Sequence, residues 1–169
     1  MWKHLPTIVF ALSLGATGCL ERAPRCDDLS DPAKTWPGCE VPFERIDATR
    51  PNAARGVTIL KTRADFAQFF GMEPPASVNF NEDWVLHFST GVKPTGGFEA
   101  MIDGLKRVGP PSERTLIVYT TDVSPGQGCA VTQALTNPQV TVVITKQPGS
   151  PYLREVKESV VRDCPTTTP

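Results

Sequence analysis

The sequence predicts a mainly β protein, between all-β and α+β, with an antiparallel sheet or a two-sheet sandwich and one short helix. Short runs of β-branched and aromatic residues recur along the chain and are separated by turn residues, as in antiparallel β domains. The 17 prolines and 13 glycines favour many turns over long helices. One segment, near residues 63–70, has helical periodicity between a start and a stop signal.

Seven strands are predicted from these runs. In chain order they are residues 41–46, 56–61, 84–89, 98–102, 115–121, 140–145 and 155–161. Pro42 has no backbone N–H donor, so the first strand is expected at a sheet edge. Successive side chains of a strand point to opposite faces. In the third strand the two faces are Trp84, Leu86 and Phe88 on one side, and Val85, His87 and Ser89 on the other.

The helix is predicted from its capping residues. Thr62 is a good N-cap, and Asp65 stands three residues later as the reciprocal acid of a capping box. Gly71 ends the helix, since glycine adopts the left-handed C-cap conformation without steric cost. Three phenylalanines fall at helical spacing and share one face, which we expect to pack in the core: Phe66, Phe69 and Phe70.

A turn with the sequence Lys93-Pro94-Thr95-Gly96-Gly97-Phe98 separates the third and fourth predicted strands. Pro94 presets its own φ and the two glycines reach positive φ easily, so the turn is expected to close a tight hairpin. One interpretation makes this hairpin a rigid tip that offers Thr95, backbone donors and Phe98 to a protein partner, with the side chains of Lys93 and Thr95 exposed. The partner-binding residues are then Lys93, Pro94, Thr95, Gly96, Gly97 and Phe98. The other interpretation is that it only closes the hairpin, and the sequence leaves both open.

A second turn-rich segment follows at residues 125–129 and at Gln133-Ala134-Leu135-Thr136-Asn137-Pro138. Together with the first turn, and over about residues 80–146, this ordered set resembles the C-terminal domain of the PrcB-like family. That family consists of subunits associated with secreted bacterial protease complexes. The resemblance implies a non-catalytic accessory or binding subunit with a protein partner, a secreted protease being one candidate. We expect Leu135 to be packed and Pro138 to begin a strand.

The first turn is also similar to the N-P-T-T-G-Y loop of chagasin-like cysteine-protease inhibitors, with Lys93 in place of Asn and Gly96 in place of Thr. Those inhibitors project loops from an immunoglobulin-like sandwich. A proteinase inhibitor that uses residues 93–98 is therefore the alternative function.

The N-terminus predicts an exported lipoprotein. Residues 1–18 have a basic start, an apolar run and small residues before Cys19, as in a lipoprotein signal peptide. We expect a lipid on Cys19, an anchor in the bacterial cell envelope, and residues 19–40 as tether and N-terminal arm. Leu20 after the cysteine favours the outer membrane or cell surface over the inner membrane. The alternative is an ordinary signal peptide cleaved near Gly18.

One globular domain is expected at residues 41–164, followed by a frayed tail at 165–169. The four cysteines beyond Cys19 are an even number in an exported chain, which favours two disulfides. Three pairings are possible. We favour Cys26 with Cys39, in the N-terminal arm, and Cys129 with Cys164, at the C-terminal strand.

Several function classes are disfavoured by what the sequence lacks. The formal net charge is −1 and no basic block exceeds a pair, so no nucleic-acid partner is expected. No nucleotide-binding glycine motif is present, and no cofactor is expected. His87 is the only histidine after the signal, so we expect a partly exposed strand residue, no catalytic site and no metal site. An oxygen-rich run is expected to be a solvated turn: Asn79, Asn81, Glu82 and Asp83.

Overall fold

The computed structural model describes residues 38–109, 114–147, 149 and 151–164. The predicted signal peptide, Cys19, Cys26 and the tail at 165–169 lie outside these residues. Lipidation and the pairing of Cys26 with Cys39 therefore stay predictions, and Cys39 is buried in the first strand.

Within the described residues, eight strands form two sheets and one helix lies beside them. The elements are β1 (Cys39–Glu40), β2 (Phe43–Ile46), β3 (Gly56–Leu60), α1 (Arg63–Phe70), β4 (Asp83–Ser89), β5 (Glu99–Val108), β6 (Thr115–Pro125), β7 (Gln139–Thr145) and β8 (Tyr152–Arg162). The first sheet has the order β1-β5-β6-β8, and the second has the order β2-β7-β4-β3. Neighbouring strands are antiparallel except β6 and β8, which are parallel. The predicted mainly β class with one short helix is confirmed.

The main core lies between the two sheets. Alternation along β4 directs Trp84, Leu86 and Phe88 toward the first sheet, where they are buried against Ile102 and Val118. Burial of apolar surface on both inner faces is what holds a sandwich together, at roughly 25 cal/mol per Å² removed from water.

The other face of the second sheet is covered by α1, which makes a second, smaller core. Its buried residues are Ala48, Leu60, Phe66, Phe70, Val78 and Val85. The capping box is present, since the Asp65 N–H donates to Thr62 Oγ1 at 3.0 Å and the Thr62 N–H donates to Asp65 Oδ2 at 3.0 Å. Gly71 ends the helix with φ of 71°. The predicted helix and its capping residues are confirmed.

The first predicted strand is split in two by Pro42. Cys39 and Glu40 pair with β5 in the first sheet, whereas Phe43 begins the pairing of β2 with β7 in the second sheet. A proline cannot donate to a ladder, so the chain leaves one sheet at this point and enters the other. The prediction of one edge strand over residues 41–46 is wrong in this respect.

The hairpin predicted between the third and fourth strands is also wrong. β4 pairs with β3 along one edge and with β7 along the other, so neither edge is open to β5. The chain must therefore leave the second sheet after Ser89 and cross to the first sheet, where β5 pairs with β1 and β6. Residues 90–98 form this crossover.

His87 is buried, with 1% of its surface exposed, and not partly exposed as predicted. The reason is α1, which covers this face of the sheet and places the rings of Phe69 and Phe70 at 5.1 and 5.4 Å from the imidazole. Thr141 Oγ1 lies 3.0 Å from Nδ1, and the Thr141 hydroxyl donates to the Ala48 carbonyl at 2.6 Å. Because that hydroxyl proton is used, Nδ1 carries a hydrogen and donates to Thr141.

Burial, together with the smaller effect of the positive charge of Arg50, lowers the pKa of His87 from 6.5 to about 4. The unfolded chain therefore takes up a proton on this imidazole near pH 6.5, whereas the folded chain does so only near pH 4. The unfolded state binds more protons in this window, so folding stability falls as the pH decreases through it.

We predict that the free energy of unfolding decreases by up to roughly 3 kcal/mol between pH 7 and pH 4 because of His87 alone. The measurement is urea unfolding at several pH values for the wild type and for His87→Gln, which has no ionisable group there. The variant should lack this part of the pH dependence. An equal decrease in both proteins would contradict the assignment.

Candidate functional site

The two motifs singled out in the sequence lie beside each other. We call residues 90–98 and 126–138 the paired loops. The Lys93 N–H donates to the Thr136 carbonyl at 2.8 Å, and the Thr136 N–H donates to the Lys93 carbonyl at 3.0 Å, in an antiparallel bridge. The Gly96 N–H donates to the Thr132 carbonyl at 2.9 Å. The Thr136 hydroxyl donates to the Thr95 carbonyl at 2.7 Å, so both loops form one surface at the end of the sandwich.

Lys93 points into the protein and is not part of an exposed tip. Its Nζ lies 3.1 Å from Asp122 Oδ2 in β6 and 5.2 Å from the centroid of the Phe98 ring. The side chain of Lys93 is 19% exposed and that of Asp122 is 10% exposed. Asp122 Oδ1 has no hydrogen-bond partner within the described part of the chain. The positive charge of Lys93 therefore balances the negative charge of this buried carboxylate. The predicted role of Lys93 as an offered side chain is replaced by a structural one.

Gly96 and Gly97 of the first loop are required for different reasons. Gly97 has φ of 82°, and a Cβ on it would lie 2.9 Å from Val131 Cγ1 and 3.2 Å from Pro125 Cβ. Gly96 is buried and has no positive φ, so the expectation that both glycines adopt positive φ is wrong for this residue. A Cβ on Gly96 would collide with the Thr132 hydroxyl. Close approach to the second loop is what Gly96 permits.

The second loop is fixed at its start by the disulfide between Cys129 and Cys164, with Cα atoms 5.4 Å apart. The Gly126 N–H also donates to the Arg162 carbonyl at 2.9 Å. The favoured pairing of these two cysteines is present in the structure. It joins the loop to the end of β8, which limits the conformations open to both.

The second loop is fixed at its other end by Asn137 and Gln139. Asn137 Oδ1 accepts from the Ala53 N–H at 2.8 Å, and Asn137 Nδ2 donates to the Ala53 carbonyl at 3.2 Å. Gln139 binds the N–H and the carbonyl of Arg50 in the same way, at 2.8 and 3.1 Å. These side-chain amides bind the backbone of Arg50 and Ala53 in the way that the backbone of a neighbouring strand would. Sequence reasoning missed both roles, because their partners lie more than 80 residues away in the chain.

Part of the exposed surface of the paired loops is apolar. Leu135 is 77% exposed and Val92 is 48% exposed, and Pro94 is also exposed. In an antiparallel bridge the residues after Lys93 and before Thr136 stand opposite each other, which places Pro94 beside Leu135. We call Val92, Pro94 and Leu135 the apolar loop surface. The expectation that Leu135 is packed is wrong, since Thr136 is the residue of this pair that turns inward.

Polar groups elsewhere serve the fold. Asn79 and Asp83 close the predicted solvated turn, since the Asn79 N–H donates to Asp83 Oδ2 at 2.9 Å. Within the described ranges, no three side chains of His, Cys, Asp or Glu lie close enough together to hold a metal ion. In the same residues no helix has the length and apolar character that crossing a membrane requires.

Residues 84–145 match the family model described as PrcB C-terminal. This range contains β4 from Trp84 onward, β5, β6, both paired loops and β7, so the resemblance found in the sequence is confirmed there. The match covers between a third and a half of the chain and relates this part of it to a subunit of a protease complex. No curated protein and no solved structure matches the chain.

We predict that Gly97→Ala lowers the free energy of unfolding by about 1–3 kcal/mol, because a side chain there would be strained in φ and would press on Val131. The matched control is Gly104→Ala in β5, where a Cβ would make only an ordinary contact of 3.8 Å with Tyr119. That variant should change stability by less than about 0.5 kcal/mol. Thermal and urea unfolding measure both, and equal effects would show that the paired loops do not constrain this position.

Proposed function

We propose that this protein is a non-catalytic subunit that is anchored in the bacterial cell envelope and binds a protease complex through the apolar loop surface. The premise is the match of residues 84–145 to the PrcB C-terminal model. The observation that carries the proposal is the different placement of polar and apolar side chains in the paired loops. The polar side chains of Lys93, Thr136 and Asn137 are held within the protein. In contrast, Leu135, Val92 and Pro94 are left to solvent.

This placement of the side chains favours binding over catalysis. Proton transfer needs a titratable group in reach of a substrate. In the paired loops the ionisable side chain of Lys93 is held against Asp122, and Thr136 and Asn137 are hydrogen-bonded within the protein. Clustered exposed apolar side chains, in contrast, are what protein interfaces bury at their centre.

The surface is also held in one arrangement before any partner binds. The disulfide at Cys129, the bridge at Lys93 and the amide of Asn137 fix the paired loops at three separate points. Less conformational entropy is then lost on association, so a small apolar area can contribute more to affinity. This rigidity supports an accessory role in assembling or stabilising a larger complex.

The envelope anchor is part of the proposal and rests on the signal sequence and Cys19 alone. A lipid on this cysteine would hold the domain at a membrane surface. Cys19→Ser should remove the acyl mass from the mature protein and move the protein out of the detergent-soluble membrane fraction. A variant that stays in that fraction would contradict the anchor.

The inhibitor alternative stays a prediction. An inhibitory loop must offer its own groups to the protease, whereas Lys93 and Gly96 are engaged with Asp122 and Thr132. Titration of the purified protein against a papain-type protease tests this alternative, and tight inhibition would support it over the accessory role.

The prediction that tests binding through the apolar loop surface concerns Leu135. Leu135→Glu should reduce the yield of partner capture strongly, because it puts a charge at the centre of the apolar loop surface. Its melting temperature should be unchanged, since Leu135 is 77% exposed. Capture is measured by chemical crosslinking in the native envelope followed by mass spectrometry.

The matched control is Met72→Glu, which introduces the same charge at another exposed apolar residue, directly after α1. This control should keep the wild-type yield. Unchanged capture by Leu135→Glu, or capture of proteins that include no protease component, would contradict the proposal.

A further inference from the structure

The strand β8 leaves one long edge open. It pairs with β6 along one side, and no described strand pairs with its other side. Its apolar side chains are unusually exposed, with Tyr152 at 75%, Val161 at 66%, Val160 at 39% and Val156 at 37%. An open edge of 11 residues is a template for another strand unless something covers it.

The direction of the backbone groups on this edge follows from the two ends of β8. The Tyr152 N–H donates to the Arg114 carbonyl, and the Arg162 carbonyl accepts from Gly126, so both residues face the β6 side. Backbone groups alternate along a strand. The even-numbered residues therefore bond toward β6, and the odd-numbered ones from Leu153 to Val161 direct their N–H and C=O groups to the open edge.

The charges of β8 form a sign-inverted palindrome about Val156. The sequence is Arg154-Glu155-Val156-Lys157-Glu158. If a second copy of β8 lies antiparallel with Val156 opposite Val156, Arg154 faces Glu158 of the second copy and Glu155 faces Lys157 of the second copy. Tyr152 then faces Val160 of the second copy, an aromatic and β-branched pair of the kind that stabilises sheets.

Neighbouring twofold registers do not share this match. Centring the pair on Arg154, Glu155, Lys157 or Glu158 places that charged residue opposite its own copy, and like charges directly opposite destabilise a sheet. The direction of the backbone groups also agrees with the Val156 register. In the Val156 register the odd-numbered residues face one another, and these are the residues whose backbone groups are open.

We propose that two copies of this chain associate through β8 in this register, which joins their first sheets into one continuous sheet of eight strands. Charged residues on an edge normally prevent such pairing, but here they are complementary to themselves. The disulfide at Cys164 ties the end of β8 to the paired loops. The antiparallel dimer therefore carries its two apolar loop surfaces at opposite ends.

The test uses the protein purified from cells that express the full chain, with its self-association measured by sedimentation over a range of concentrations. Arg154→Glu and Glu158→Arg each create two like-charge contacts, because the twofold axis of the dimer places the substitution in both copies. Each variant should therefore raise the dissociation constant for self-association by about tenfold or more. The double variant exchanges the two charges and should restore association. We change Arg154 and Glu158 rather than Glu155 and Lys157, because Glu155 already binds Arg55 at 3.1 Å within one copy.

A second measurement fixes the register. Val156→Cys should form a disulfide with the same residue of the second copy under mild oxidation. The reason is that the Cα atoms of a non-hydrogen-bonded pair lie about 4.5 Å apart, within the range that a disulfide spans. Lys157→Cys is the control and should not, because it faces residue 155 of the second copy. A protein that stays monomeric, single variants that associate like the wild type, or equal crosslinking of both cysteines would overturn the proposal.

Discussion

The contact between the two crossing loops holds the ends of the two sheets together. Because β4 is paired along both edges, the chain has to leave the second sheet and reach β5 in the first. The bridge of Lys93 with Thr136 supports this crossover on the second loop, and the ion pair of Lys93 with Asp122 ties it to β6. A substitution that disturbs this contact therefore acts on both sheets and on both loops at once.

The same contact decides what the surface presents. When Lys93 and Thr136 turn inward, Pro94 and Leu135 beside them turn outward, and Leu135 becomes the most exposed large apolar side chain of this end. The structural and the binding roles of the two motifs are thus consequences of one backbone arrangement. Both motifs lie within the part of the chain that matches the PrcB C-terminal model.

Sequence patterns predicted what depends on neighbours in the chain. The capping box of Thr62 and Asp65 and the two faces of β4 follow from local spacing. Counting cysteines favoured two disulfides and left three pairings open, and the favoured bridge of Cys129 with Cys164 is present. What was missed depends on distant partners. Local spacing does not show which strand edges are already occupied, so a hairpin was expected where the chain crosses over. Nor does it show that α1 covers His87 or that Thr136, rather than Leu135, faces inward.

The central claim is that Lys93 acts inside the protein and not on its surface, and a double-mutant cycle with Asp122 tests it most directly. The free energy of unfolding is measured for Lys93→Met, Asp122→Asn and the double variant. The structure predicts a coupling energy of about 1–3 kcal/mol, because each single change leaves a largely buried group without its partner. A coupling energy near zero, with single variants as stable as the wild type, would contradict the account and return Lys93 to the exposed surface.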